Sequence, residues 1–597
     1  MKTLLLTGIT IALNIVLNAQ EILPKNFSDT ERQQLTQMIG TAPTAPPNSI
    51  TSPPPFSSLR AMAEWEELQA LTIAWTGYPG ILKQIVAAAV LETRVIILTE
   101  DPQATEDFLT SNNAAGPALS MANITLLDEN FDSIWMRDYA GNPVYANDVD
   151  SLMLVDWIYN RPTRPNDDAS PAFIAEEIGI PLYTTTEAPT DLVNTGGNFM
   201  CDGFGTAFAS NLILDENEFN NPYGVTAKSE DDINAILADY MGISRYIKMP
   251  TLPYDGIHHI DMHMKIVDEE TLLIGEYPDG VADGPQINAN TEYVLSNFNS
   301  VFGTPYKVVR IPMPDSQSGL YPDSQPTPGY YRTYTNAVFV NKTIIFPTYR
   351  EEFDTTAYRI WGEICPGYTL VGIDSDNQDE PIISASGAIH CITHAVGVAD
   401  PLLISHQALP DTYDELNPYA VTGLFDHRSG IAQAKLFWKT STQSVYSEVS
   451  MSDIGNDNWQ AYIPAQPAGT IIEYYLFGES NSGKTQLRPL PAPASHWTFE
   501  ILGDVAIDES ASTASIARVF PNPANAITCI ELNFSQAIEA DAYLTDISGR
   551  RVMDIFQGTL VPSQNKLFLD ASQLTSGMYH IQVQTQAGMI RHKLMVK

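Results

Sequence analysis

Cys391 lies in the run Ser386-Gly387-Ala388-Ile389-His390-Cys391-Ile392-Thr393-His394, a small-residue turn that flanks a thiol with histidines. Small residues let a loop bring its backbone close to a ligand, and imidazoles can stabilise a thiolate or relay protons to it. The plain alternative for such a residue is a buried small hydrophobe. Upstream, Gly256-Ile257-His258-His259-Ile260-Asp261-Met262-His263 contains a His-x-Asp pair, and Trp135-Met136-Arg137-Asp138-Tyr139 holds another isolated carboxylate. If these segments are strands, His259 and Asp261 stand two apart and project to one face. A cysteine, a histidine and two carboxylates suit chemistry on a guanidinium carbon. Carboxylates grip the planar cation with paired hydrogen bonds, a thiolate attacks, and a histidine protonates the departing ammonia.

The elements that must position these residues belong to an α/β pattern. From about 59 to 402, strand-like runs such as Leu71-Thr72-Ile73-Ala74-Trp75 and Arg94-Val95-Ile96-Ile97-Leu98-Thr99 alternate with helical stretches such as 81–91. Between about 403 and 503 the texture changes to short strands bounded by polar and Pro/Gly turns, which suggests an immunoglobulin-like sandwich. Residues 515–597 read as a further small β unit. At the other end, residues 4–17 form an apolar stretch after Met1-Lys2-Thr3. This reads as a signal peptide over 1–19, cut after Ala19. Residues 20–58 carry two proline clusters and read as an extension and linker.

Composition bounds the partners. The chain has 597 residues and a net charge of −40, from 71 acidic and 31 basic side chains, which disfavours nucleic acid because phosphate would be repelled. Four scattered cysteines, Cys201, Cys365, Cys391 and Cys529, make no disulfide framework. A Cys201–Cys365 bridge stays open. No later segment offers a continuous apolar run long enough to span a bilayer.

Taken together, the three active-site segments resemble the guanidine-modifying deiminases, specifically the bacterial peptidylarginine deiminase and agmatine deiminase family. Met62-Ala63-Glu64-Trp65-Glu66, Asn194-Thr195-Gly196-Gly197-Asn198, Asp202-Gly203-Phe204-Gly205-Thr206 and Tyr331-Arg332-Thr333-Tyr334-Thr335-Asn336 add to the likeness, collinear from about 60 to 400. The resemblance implies a pseudo-fivefold α/β propeller that needs no cofactor. It makes Cys391 the nucleophile, His259 the general acid/base, Asp138 and Asp261 the guanidinium ligands and Asn336 an active-site residue. Trp135 is expected in the substrate site. Asp156-Trp157-Ile158-Tyr159-Asn160-Arg161-Pro162-Thr163-Arg164-Pro165 is similar to a segment of the secreted peptidylarginine deiminases in which two arginines clamp a substrate carboxylate. Here Thr163 is inserted, so the correspondence of Arg164 is weaker than that of Arg161.

The C-terminal unit, through Val519-Phe520-Pro521-Asn522-Pro523, Leu544-Thr545-Asp546-Ile547-Ser548-Gly549-Arg550 and Leu574-Thr575-Ser576-Gly577-Met578-Tyr579, resembles the sorting domain of the type IX secretion system. That implies export through the periplasm of a Gram-negative bacterium to the cell surface or medium. The expected activity is therefore deimination of peptidyl arginine, with the arginine at a C-terminus favoured. Agmatine or free arginine is the alternative substrate, and an inactive surface-binding protein the alternative role. Two metal readings compete. The histidines of the 258–263 and 390–394 segments could ligate zinc, although no closed zinc spacing is present. Asp374-Ser375-Asp376-Asn377-Gln378-Asp379 looks like the start of a calcium loop with aspartate in place of its glycine.

Overall fold

The computed structural model describes residues 23–38, 45–323, 330–503, 514–546, 549–563, 565–585 and 588–597. The expected signal peptide, 1–19, lies outside them.

One supersecondary unit recurs five times. In four cases a strand pairs antiparallel with its predecessor, and in the fifth with the late strand His394–Gly397; each then passes through a helix and returns to a parallel neighbour. Leu152–Asp156, Thr206–Ser210, Thr271–Glu276, Thr343–Thr348 and Leu68–Ala74 are the central strands. Their antiparallel partners are Asn142–Ala146, Met200–Cys201, Met264–Ile266, Val338–Val340 and His394–Gly397. The crossovers run through helices Pro165–Ile178, Glu230–Met241, Gly284–Asn297, Glu351–Ile364 and Pro79–Ala89. They return to Leu182–Thr184, Arg245–Met249, Lys307–Pro312, Thr369–Asp374 and Arg94–Thr99.

Helix and strand form here for local reasons. Proline at the start of Pro79–Ala89 costs no hydrogen bond at that position. Ser229 and Asp232 cap Glu230–Met241 reciprocally, and Gly242 ends it at φ +72°. A Cβ at Gly242 would lie 1.8 Å from the Leu59 carbonyl oxygen, so glycine is required there. Arg94–Thr99 is buried along nearly its whole length, as a strand covered on both faces must be. The last sheet joins residue 394 to residue 72, so the late strand closes this α/β body onto its beginning.

Two antiparallel sheets follow. One has the order Leu403–Ser405, Tyr419–Asp426, Asn458–Ile463, Ser452–Gly455. The other joins Ser447–Ser450, Ile431–Thr440, Ile471–Ser480 and Thr485–Arg488, with Trp497–Glu500 also paired to Ile471–Ser480. Alternate residues of Tyr419–Asp426 point inward, and Val421, Phe425, Leu436, Ile463 and Leu476 form the core between the sheets. Residues up to Ile501 make one compact unit. Ion pairs Lys484–Glu67 (2.6 Å) and Arg488–Glu269 (2.8 Å) tie these sheets to the α/β body.

Residues 502–597 form a separate unit. Its sheets are Ala514–Phe520, Ile527–Phe534, Lys566–Asp570 and Arg551–Leu560, Ile538–Thr545, Gly577–Thr585, Gly588–Val596. Ile530, Leu544, Ile581, Val583 and Leu594 fill its core. All four cysteines are buried free thiols, which answers the open question of a Cys201–Cys365 bridge. Among the described residues no helix is long and apolar enough to cross a membrane, which says nothing of strands.

Candidate active site

Each of the five antiparallel partner strands is preceded by a short turn, and those turns carry the candidate residues. Asp138 sits in the one-turn helix Met136–Tyr139 before Asn142–Ala146. Gly196–Asn198 precedes Met200–Cys201, and Ile260–Met262 precedes Met264–Ile266. Asn336 stands two residues before Val338–Val340, and His390–Ile392 leads into His394–Gly397. Because the unit repeats, residues from five distant stretches meet at one end of five sheets. The strand geometry expected around His259 and Asp261 is corrected. His259 caps a 3-10 turn that contains Asp261, and His258 ahead of it has φ +58°, which no strand accommodates.

Close approach needs the glycines. A Cβ at Gly196 would come within 2.0 Å of the Arg137 carbonyl oxygen. One at Gly197 would stand 2.4 Å from His259 Nδ1 and 3.0 Å from Asp138 Oδ1. Gly387 lies against the Trp135 ring, where a Cβ would be at 2.3 Å.

Cys391 is fully buried. Asn336 Nδ2 donates to its Sγ at 3.2 Å, and Asn336 Oδ1 accepts from the His390 backbone N–H at 2.9 Å, so one amide orders both the thiol and its loop. Asp261 Oδ2 lies 3.5 Å from Sγ and 2.9 Å from His390 Nδ1. The other ring nitrogen of His390 meets Glu64 at 2.9 Å, and Glu64 also pairs with Lys265. Asp138 Oδ1 accepts from the Gly197 N–H at 3.2 Å and stands 3.6 Å from His259 Nδ1. Asp261 Oδ1 and both His259 ring nitrogens are buried without hydrogen-bond partners. The orphaned Asp261 oxygen and the one acceptor nitrogen of a neutral His259 suit a ligand that brings its own fork of N–H donors.

Electrostatics follow the burial. Burial and the Asp261 charge push the Cys391 thiol up to about 12, with Lys25 pulling the other way. Asp261 is held well below the usual carboxylate range: Lys25 and His390 overcome its burial. Burial raises Asp138, Lys25 offsetting part of the rise. Burial and then the Lys25 charge hold His259 well down, so its imidazole is neutral at pH 7.

Lys25 is the residue that sequence reasoning missed, and it corrects the expectation of a bare linker over 20–58. Its Nζ is fully buried, 2.8 Å from Cys391 Sγ, 3.6 Å from Asp138 and 3.8 Å from Asp261. The segment around it is gripped along its backbone. Trp135 Nε1 donates to the Leu23 carbonyl at 3.0 Å, and the Lys25 N–H donates to Ala385 O at 2.9 Å. Arg161 Nε and Nη2 both donate to the Lys25 carbonyl, at 3.0 and 2.9 Å, with the Phe27 ring 4.5 Å away. Arg164 reaches different groups: Glu31 at 2.7 and 3.0 Å, Pro24 O at 2.7 Å and Asn26 O at 3.1 Å. Glu31 opens helix Asp29–Met38, accepting from the Ser28 N–H at 2.7 Å while Ser28 Oγ accepts from the Glu31 N–H. That Ser-x-x-Glu signature was readable in the sequence.

The structure therefore brings Cys391, His259, Asp138, Asp261 and Asn336 together around one cation, with Trp135 and Arg161 on the flanking backbone and Arg164 one step outward. Glu64 and His390 join them as a hydrogen-bonded chain behind Asp261. Among the described residues no three His, Cys, Asp or Glu side chains are grouped to hold a metal ion, the 374–379 loop included.

Residues 518–597 match the secretion system C-terminal sorting domain, which indicates delivery to a secretion machinery and a secreted or cell-surface location. A Yersinia pseudotuberculosis protein assigned as agmatine deiminase is 26% identical over 310 residues, covering 48% of this chain and 80% of its own. A Legionella pneumophila protein of the same assignment is 27% identical over 278 residues, covering 45% and 75%. The agmatine deiminase of Enterococcus faecalis, a solved structure, superposes with TM-score 0.49 at 20% identity, covering 59% of this chain and 99% of its own. The C. jejuni agmatine deiminase gives 0.45 at 18%, covering 57% and 96%. Residues 60–396 match the Porphyromonas-type peptidyl-arginine deiminase family, and the chain belongs to that family of guanidino-group deiminating hydrolases.

Proposed function

We propose that the chain hydrolyses the guanidinium of peptidyl arginine, preferentially at a C-terminus, to citrulline and ammonia. The observation that carries the choice of peptidyl arginine over agmatine is Arg161, whose Nε and Nη2 both donate to the carbonyl of the residue whose side chain enters the catalytic cluster, while the preference for a C-terminus rests on the resemblance of residues 156–165 to a carboxylate clamp. An arginine residue presents a carbonyl or carboxylate at that place, and agmatine presents none.

In this reading Asp138 and Asp261 bind the guanidinium nitrogens, and the arriving cation replaces Lys25 as the charge that favours the thiolate. The Cys391 thiolate attacks Cζ, and the proton it gave up reaches a departing nitrogen through His259, so ammonia leaves a thiouronium on sulfur. His259 then takes a proton from water, the hydroxide adds to the same carbon, and the C–S bond breaks to give the ureido product. One water is consumed and one ammonia released. Asn336 holds sulfur in line, and His390 with Glu64 keeps Asp261 ionised.

The same reading takes 59–402 as a pseudo-fivefold propeller, supported by the five repeated sheet units. It takes 403–503 as an immunoglobulin-like sandwich and 515–597 as the sorting domain. With a signal peptide over 1–19, the route runs through a Gram-negative periplasm to the exterior. The test compares ureido product from a peptide ending in arginine, the same arginine placed internally, and agmatine. A preference for the first supports the proposal. Equal or better turnover of agmatine would leave a deiminase without the carbonyl recognition.

A further inference from the structure

Counted outward from Cα, lysine Nζ and arginine Cζ are the same fifth atom. Lys25 thus places a cation where the reacting carbon of an arginine side chain must lie, 2.8 Å from Cys391 Sγ and between the two carboxylates. That separation is at or inside the ~3–3.5 Å of a near-attack arrangement. An ammonium offers no trigonal carbon to attack and no nitrogen to expel, so a lysine seated here goes nowhere. The backbone around it is held as a peptide ligand is held. Leu23, Pro24, Lys25 and Asn26 each present a carbonyl to Trp135, Arg161 or Arg164, and the Lys25 N–H is bonded to Ala385. Glu31 pins the following helix onto Arg164 and Thr163.

We propose that residues 23–38 are an intramolecular pseudosubstrate and that Lys25 keeps the enzyme inactive until the segment leaves the site. The proposal rests on the reading of Cys391 as the nucleophile of the reaction above. A tethered segment competes at an effective concentration on the order of millimolar, so free peptide at lower concentration meets a closed site. Residues 47, 48, 52 and 53, between the segment and the catalytic body, are exposed, and a cut there would convert the tethered inhibitor into a free one.

The experiment uses the chain from residue 20 in its parent form and as K25A and K25R, each with and without C391A. Turnover of an arginine-ending peptide by K25A exceeds that of the parent by at least about tenfold in kcat/KM, because an occupied site scales apparent affinity by its open fraction. K25R keeps the buried charge, guarding against a folding defect, and turns the pseudosubstrate into a substrate. Position 25 becomes citrulline, one water is consumed, one ammonia is released, and the N-terminal fragment gains about one mass unit. The conversion is first order and independent of protein concentration. It is abolished by C391A. A parent chain as active as K25A overturns the proposal. So does a K25R chain that processes free peptide yet stays unconverted at position 25. Activity surviving C391A would instead overturn the nucleophile assignment beneath it.

Discussion

Removing the Arg161 guanidinium isolates the recognition of a substrate carbonyl from the chemistry on the guanidinium. The variant is R161A, compared with its parent in a K25A background so that the N-terminal segment does not mask the effect. Arg161 makes two hydrogen bonds, of 3.0 and 2.9 Å, to a single backbone oxygen. Bonds to charged groups contribute about 1.5–3 kcal/mol, and two that share one acceptor do not add fully, so the loss should be about 2–4 kcal/mol. At about 1.4 kcal/mol per decade this is a fall of roughly 30- to 700-fold in kcat/KM for a peptide ending in arginine. Agmatine has no acceptor there, and its kcat/KM should change by less than about threefold. R161K should not rescue the peptide, since an ammonium cannot present two parallel N–H groups to one site. Initial rates of ureido formation on both substrates decide the matter. An equal fall on both would assign Arg161 to the electrostatics of the catalytic cluster. A negligible fall on the peptide would refute carbonyl recognition altogether.

Three further outcomes are expected. G197A places a Cβ 2.4 Å from His259 Nδ1, and should lower kcat/KM by at least about 100-fold while costing only about 1–3 kcal/mol of stability, read by thermal melting beside activity. D261N removes the charge that binds His390 and the substrate cation, and should lower kcat by about three decades; steady-state kinetics on the arginine peptide check it. The third concerns Glu31, whose carboxyl Arg164 holds at about 2 against an ordinary 4.5 despite partial burial. A depressed value means that the contact stabilises above the ordinary pKa and is lost as pH falls through the folded one. At about 1.36 kcal/mol per unit, discounted for solvent screening, the contacts of Glu31 with Arg164, Ser28 and Thr163 contribute on the order of 1–3 kcal/mol to docking of helix Asp29–Met38 above about pH 5, fading toward pH 2. Amide exchange at residues 25–31 should report this loss, and E31Q should show docking that is weaker and flat across that range.

The candidate site was legible because each of its residues sits in a short local pattern. Small residues surround Cys391, Gly196-Gly197 precedes a strand, and Asp138 and Asp261 stand out among apolar neighbours. What no local pattern carries is their convergence. It depends on five sheets built alike and on a strand pairing that joins residue 394 to residue 72. The alternation His259-x-Asp261 imitates a strand, and only the left-handed backbone at His258 reveals the turn. The strands of 403–503 were readable from the polar and Pro/Gly turns that bound them, while the alternation of Tyr419–Asp426, one face of which meets a core, is seen in the structure. Lys25 was illegible for a different reason. Its type is ordinary, its proline-rich surroundings suggest a linker, and its partner Cys391 is 366 residues away.

The central claim is that Cys391 carries the guanidine carbon during deimination. The most direct measurement is an acid quench of K25A turning over an arginine-ending peptide, followed by mass analysis of the fragment containing Cys391 and of the ureido product in the same samples. The account predicts a fragment heavier by the peptide less one ammonia, formed before product and absent from the C391A chain, which makes no product. Ureido product formed by C391A at a comparable rate would contradict it.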